Sequence, residues 1–121
     1  MVINHSILST FLDAMGDYDE EFTQELIRDY LSETSRIRSD IYAGLASEDV
    51  ELVCRAVHSL KASSAVIGAQ SLSELCGEME KSCLLDNLEE VQLKLSRFEG
   101  ALNQVRQELG GFQKEPRQDP S

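Results

Sequence analysis

The chain has 121 residues, 41% of them hydrophobic, and a formal net charge of −11. That length suits one domain with a real core, and the negative balance argues against nucleic acid or an anionic membrane as partner, since both select clustered Lys and Arg. Three cysteines without CxxC spacing, no signal-peptide pattern and no apolar run approaching about 18 residues point to a soluble cytoplasmic chain without disulfides.

The first predicted helix covers 5–15. Asn4 is placed to cap it and Gly16 to stop it. Ile7, Leu8, Phe11, Leu12 and Met15 share one apolar face, which suits a short helix lying across one end of a bundle. The second helix is predicted to begin after Asp17 or Asp19 and run to about Ala43. Its acidic first turn is favoured by the helix dipole. Phe22, Leu26, Tyr30, Ile37 and Ile41 form its buried stripe, widened by Ile27 and Leu31, and Gly44 and Ser47 mark a turn.

The third helix is expected over 48–66, with Ser47 as its N-cap, and Gly68 breaks it. The fourth spans about 70–84, with Leu72, Leu75, Cys76, Met79 and Cys83 on one stripe. On that stripe Cys76 and Cys83 read as small buried hydrophobes. After Asn87, the residues Leu88, Val91, Leu95, Phe98, Leu102, Val105 and Leu109 repeat at spacings of three and four. That predicts one unbroken helix of about 22 residues, roughly 33 Å long. Residues 110–121 are polar and contain both prolines, and they read as a disordered tail after a domain over 1–109. No segment alternates as a strand does. Short connections make the long helices antiparallel neighbours, so the expected fold is all-α: an up-down-up-down four-helix bundle with a short N-terminal helix across one end.

The segment VHSLKASSAVIGA, residues 57–69, holds His58, one of two histidines. At about 100° per residue, Glu51, Cys54, Arg55, Lys61, Ala62 and Ala65 fall within about 60° of His58. Val53, Ala56, Leu60, Ser63 and Ile67 fall on the opposite side, so His58 is expected to face solvent. Residues 1–57 carry twelve acids and four bases, and residues 58–121 carry ten acids and seven bases. Arg55 and Lys61 therefore make the surface near His58 less acidic than its surroundings.

No GxxxxGK or GxGxxG loop is present, which excludes the common nucleotide sites and speaks against kinase activity of the chain's own. Cys54 and His58 stand at i and i+4, a workable ligand spacing, but the sequence offers no convincing further pair, so no metal site is expected. A solvent-facing imidazole titrates near pH 6.5 and keeps a free ring nitrogen that can act as a nucleophile. If it attacked a phosphoryl group, a lysine one turn on would offset the new negative charge, and Ala62 and Ala65 would leave room for a partner's active site. Taken alone, these features still fit an ordinary surface histidine better.

The same segment strongly resembles the signature of histidine phosphotransfer (HPt) domains, roughly H-x-L-K-G-S-S-x-x-x-G-A. His58, Leu60, Lys61, Ser63, Ser64, Gly68 and Ala69 match in register, and Leu75, Cys76 and Glu80 look like the pair and downstream acid often found on the family's next helix. The matching helix pattern covers about residues 3–109. The resemblance implies a four-helix bundle and a phosphorelay intermediate without a kinase or nucleotide site. His58 would take a phosphoryl group from the aspartyl phosphate of a response-regulator receiver domain and pass it to another receiver's aspartate, downstream of a hybrid sensor kinase. Lys61 would steady the phosphohistidine, with Lys81 as a further candidate, and Gly68 would end the helix. No bound cofactor is implied, because the receiver would supply Mg2+.

The family's frequent glycine after the lysine is Ala62 here, which implies altered partner preference or rate and not lost function. The dimeric phosphoacceptor helix of sensor kinases fits less well, since Ser63 stands where those helices carry proline. The remaining alternative is a receiver-binding helical module of the same fold that never transfers phosphate. The expected docking face comprises Arg55, Ala62 and Ala65 with Leu8 and Leu12 of the first helix, on a monomer. Met1 and the loose tail favour a free-standing protein over a piece of a hybrid kinase.

Overall fold

The computed structural model describes residues 20–110, apart from the side chains of Glu20 and Thr23. The predicted N-terminal helix, with Leu8 and Leu12, and residues 111–121 of the predicted tail lie outside the described residues. Five helices follow one another: α1 (Glu20–Ser47), α2 (Val50–Ile67), α3 (Gln70–Leu84), α4 (Leu88–Leu93) and α5 (Leu95–Gly110). They form an antiparallel helical bundle. α2 packs on α1 and on α3, and α4 and α5 pack on α3. Arg38 and Tyr42 of α1 both reach Glu99 of α5, at 2.8 and 2.6 Å, and close the ring of helices. No helix among the described residues is long and apolar enough to cross a membrane.

The three turns between the long elements share one construction. Past α1, the amide of Glu48 donates to the Leu45 carbonyl and that of Asp49 to the Gly44 carbonyl. Gly68 and Ala69 repeat the pair onto Ala65 and Ser64, and Asp86 and Asn87 onto Cys83 and Ser82. This is the Schellman arrangement, which satisfies carbonyls at a helix end and needs a left-handed residue just beyond it. That residue is Glu48 (φ 56°), Gly68 (φ 88°) or Asp86 (φ 59°). Asp49 then caps α2 by accepting from the Leu52 amide at 3.1 Å, and Asn87 caps α4 through Glu90.

Several expectations are corrected. α1 runs through Gly44 to Ser47, past the expected end at Ala43, and α2 is capped by Asp49, not Ser47. Gly44 is not a turn residue. It is buried, and a Cβ there would lie 2.6 Å from Val53 Cγ2, so its missing side chain lets α2 cross α1. Gly44→Ala should cost about 1–3 kcal/mol in urea denaturation, the usual penalty for overpacking. The cost should shrink in a Val53→Ala background, because the clashing methyl is gone.

The stripe of α1 is also rotated. Its buried residues are Ile27, Tyr30, Thr34, Ile37, Ile41, Gly44 and Leu45, while Leu26 and Leu31 are half-buried and Phe22 is 38% exposed. Thr34 fills a core position because its hydroxyl donates to the Leu31 carbonyl at 2.8 Å. On α2 the buried serine is Ser64, not Ser63, and it shares a 2.7 Å hydrogen bond with the Tyr30 hydroxyl. Burial pushes the Tyr30 phenol up to about 12, so it stays protonated.

The last correction concerns the long C-terminal helix. It is interrupted at Lys94, whose amide donates to Val91 three residues back. One such tightened turn barely rotates a seam already spaced at three and four, so the apolar pattern does not register it. Val91, Phe98, Leu102, Val105 and Leu109 are buried, and Leu88 and Leu95 pack against them.

Candidate functional site

α2 turns its apolar face, Val53, Ala56, Val57, Leu60, Ser64 and Ile67, into the bundle. His58 lies nearly opposite, with 62% of its side chain exposed. The two helices of the α2–α3 hairpin rise at the same rate per residue, so positions equally far from the Gly68–Ala69 turn meet at one height. His58 and Glu80 are each eleven residues from Ala69. Glu80 flanks the buried α3 stripe of Leu75, Cys76, Met79 and Cys83 and reaches across.

The imidazole Nδ1 lies 2.7 Å from Glu80 Oε2, and the Lys61 ammonium donates to Oε1 of the same carboxylate at 2.8 Å. Lys61 above all holds the Glu80 carboxyl below its ordinary range. Partial burial opposes this and His58 assists it. A carboxylate only accepts, so Nδ1 carries the proton and donates it. In the neutral ring Nε2 then keeps its lone pair and points away from that contact. The Lys61 stem passes Gly77, where a Cβ would stand 3.6 Å from Lys61 Cδ, and Ser73 donates to the Lys61 carbonyl at 2.9 Å.

Arg55, Ala62 and Ala65 are exposed on the same helix. Their short or outward side chains leave the ring uncovered. Lys81 is exposed on α3, and it is its neighbour Glu80 that bonds to the imidazole. The thiols of Cys76 and Cys83 are both pushed up to about 12, chiefly by burial. They stay protonated and serve as packing. Among the described residues no group of three or more His, Cys, Asp or Glu is arranged to hold a metal ion, and Cys54 and His58 gain no third ligand. A groove between α1 and α2, lined by Leu26, Tyr30, Ser63 and Val66, does not include His58.

The sequence reading missed the grip of Glu80 on the ring. In the sequence Glu80 stands as a match to the family's downstream acid, with no partner assigned to it. Reflecting His58 through the glycine turn is the signal that finds it.

The Hpt domain family model matches residues 6–110. The chain belongs to the Hpt domain family. This Hpt domain is 26% identical over 108 residues to Multistep phosphorelay regulator 1 of Schizosaccharomyces pombe, a match covering 89% of the chain and 36% of that protein. It is 27% identical over 105 residues to Phosphorelay intermediate protein rdeA of Dictyostelium discoideum, covering 84% of the chain and 41% of that protein. It therefore spans about two fifths or less of the curated relatives it matches. Its fold is that of an X-ray structure of a rice protein described as histidine-containing phosphotransfer. The TM-score is 0.74 at 20% identity, over 92% of this Hpt domain and 79% of the rice chain.

Proposed function

We propose that this Hpt domain is a phosphoryl carrier in a multistep phosphorelay, and that His58 Nε2 is the atom that carries the group. The observation that supports this most is the exposed imidazole whose Nδ1 is occupied by Glu80. The donor is the aspartyl phosphate of a receiver domain fed by a hybrid sensor kinase, and the acceptor is another receiver's aspartate. Lys61, already beside the ring, swings from Glu80 toward the new phosphoryl oxygens, with Lys81 as a weaker candidate. The Hpt domain brings no nucleotide site and acts as a monomer in the cytoplasm. Mg2+ enters with the receiver and neutralises phosphoryl charge during transfer.

The docking face comprises Arg55, Ala62 and Ala65, joined by Leu8 and Leu12 of the N-terminal segment. Small side chains around the ring allow a receiver's active site to close over it. Ala62→Trp should weaken receiver binding at least about tenfold in a calorimetric titration, because one bulky group would hold the two surfaces apart. Unchanged affinity would remove Ala62 from the interface.

Loading the protein with phosphoramidate and then adding a receiver domain and Mg2+ tests the carrier role. Label should leave the Hpt domain and appear on the receiver. Tight receiver binding with no movement of label would favour the alternative, a module of the same fold that binds receivers without transferring phosphate.

A further inference from the structure

Two thiols that the phosphoryl chemistry leaves unused meet one turn beyond the site. Contacts across the α2–α3 hairpin climb away from the Gly68–Ala69 turn in steps. A Cβ on Gly77 would touch the Lys61 stem at 3.6 Å, and Glu80 bonds to His58 at 2.7 Å. The next step is Cys54, fifteen residues before Ala69, and Cys83, fourteen after it. Both are free thiols, and Cys54 packs on the core cluster that contains Cys83. Burial first, and a hydrogen bond between the two thiols second, push Cys83 up to about 12. The two sulfurs therefore face each other.

The pair is unequal in access. Cys54 is half-buried and reaches solvent, whereas Cys83 is 1% exposed. Oxidants attack the more accessible thiol, as its thiolate. Cys76 does not compete. It is fully buried, lies two turns from Cys83 on the same helix and has Tyr30 of α1 as a neighbour.

We propose that Cys54 and Cys83 are a redox pair that closes into a reversible disulfide when the protein meets hydrogen peroxide, and that the closed form slows phosphoryl transfer at His58. The effect on transfer rests on the reading of His58 as phosphoacceptor; the bond itself does not. The Cys54 thiolate attacks one peroxide oxygen and the O–O bond breaks. The hydroxide that leaves takes up the proton the thiol gave up and departs as water, and Cys54 is then a sulfenic acid. The Cys83 sulfur attacks the Cys54 sulfur, the S–O bond breaks, and the hydroxide leaves with the Cys83 proton as a second water. Two thiols have lost two electrons and one peroxide has gained them. A buried, protonated thiol reacts slowly, and the fixed position of Cys83 against the sulfenic sulfur offsets this. A thiol reductant restores both groups by exchange, so the bond is transient in a reducing compartment.

The bond acts on the site through geometry. Cys54 stands one turn before His58 on α2, and Cys83 one turn after Glu80 on α3. Drawing the sulfurs from contact into a covalent bond moves these turns together, and the 2.7 Å bond between His58 and Glu80 is the adjacent contact that must adjust. Ring placement sets the rate of a step that is mostly positioning.

The test treats the wild-type protein with hydrogen peroxide, alkylates it, digests it without reduction and maps the peptides by mass. A Cys54–Cys83 linkage should appear within one chain and vanish on treatment with dithiothreitol. Cys76→Ala should still form it and Cys54→Ser should not. After removal of peroxide, the oxidised wild type should take label from a phosphorylated receiver domain at least about fivefold more slowly than the reduced form. Dithiothreitol should restore the rate, and peroxide should leave the rate of Cys54→Ser unchanged. Crosslinks between chains only, a linkage through Cys76, or an overoxidised Cys54 with no linkage would overturn the inference, as would equal transfer rates of the oxidised and reduced wild type. If the reduced wild type takes no label at all, the carrier reading has failed, while the mapped linkage still decides the disulfide.

Discussion

His58→Gln should abolish acid-labile phosphoryl uptake while leaving the melting temperature nearly unchanged. Uptake vanishes because the amide has no nucleophilic nitrogen to form the covalent intermediate. Stability persists because the ring contributes little to the core. It is 62% exposed, and its bond to Glu80 lies at the surface, while the Lys61–Glu80 pair remains in the variant. Substitutions of this kind shift stability by about 0.5 kcal/mol or less. Radiolabel uptake and thermal melting, run on the same preparations, check both halves. Residual acid-labile label on the variant would place the acceptor elsewhere, and a fall of many degrees would mean that His58 belongs to the packing.

Phe98→Ala should produce the opposite pattern, a large loss of stability at a residue with no part in the chemistry. Phe98 is fully buried and is among the largest side chains in the core, where α5 begins after the Lys94 turn. Its amide bonds to the Lys94 carbonyl at 2.9 Å, so the interruption of the helix is anchored at the same residue. Truncation removes a ring from a close-packed interior and leaves a cavity, which costs about 3–5 kcal/mol. For a domain of this size that is a fall of more than about 10 °C in melting temperature. Urea denaturation and calorimetry measure it, and a loss below about 1 kcal/mol would mean that the Phe98 ring is not part of the packed core.

The helical class and the fourth helix were legible because apolar spacing reports which face is buried. Leu72, Leu75, Cys76, Met79 and Cys83 all went inside as their period requires. Gly68 was legible as a stop because glycine is the residue expected in a left-handed position. Glu48 adopts the same conformation without being glycine, so nothing in the sequence marks it as the left-handed residue, and α1 ends four residues later than its spacing suggests. Gly44 misled in the other direction. A glycine that permits close approach of two helices looks, in one dimension, like a glycine that ends one. The rotation of the α1 stripe was hidden by Thr34, a polar residue in a core position, and by the apolar side chains of Phe22 and Leu26 beside it.

At the site, the outward direction of His58 and the nearness of Lys61 followed from helical geometry alone. The chemistry that makes Nε2 the free nitrogen did not, because it depends on Glu80, a residue of another helix. The resemblance to a known signature pointed to that region and left its role open.

The proposed carrier role turns on whether His58 Nε2 takes a phosphoryl group from a receiver. The most direct measurement is transfer from a prephosphorylated receiver domain, with Mg2+, to the wild-type chain, followed by phosphorus-31 NMR and peptide mapping of the product. The expected product gives a phosphoramidate signal that disappears in mild acid and maps to His58, bonded through Nε2. A stable phosphoester on a serine, or no label from any of several receivers that bind the protein, would contradict it.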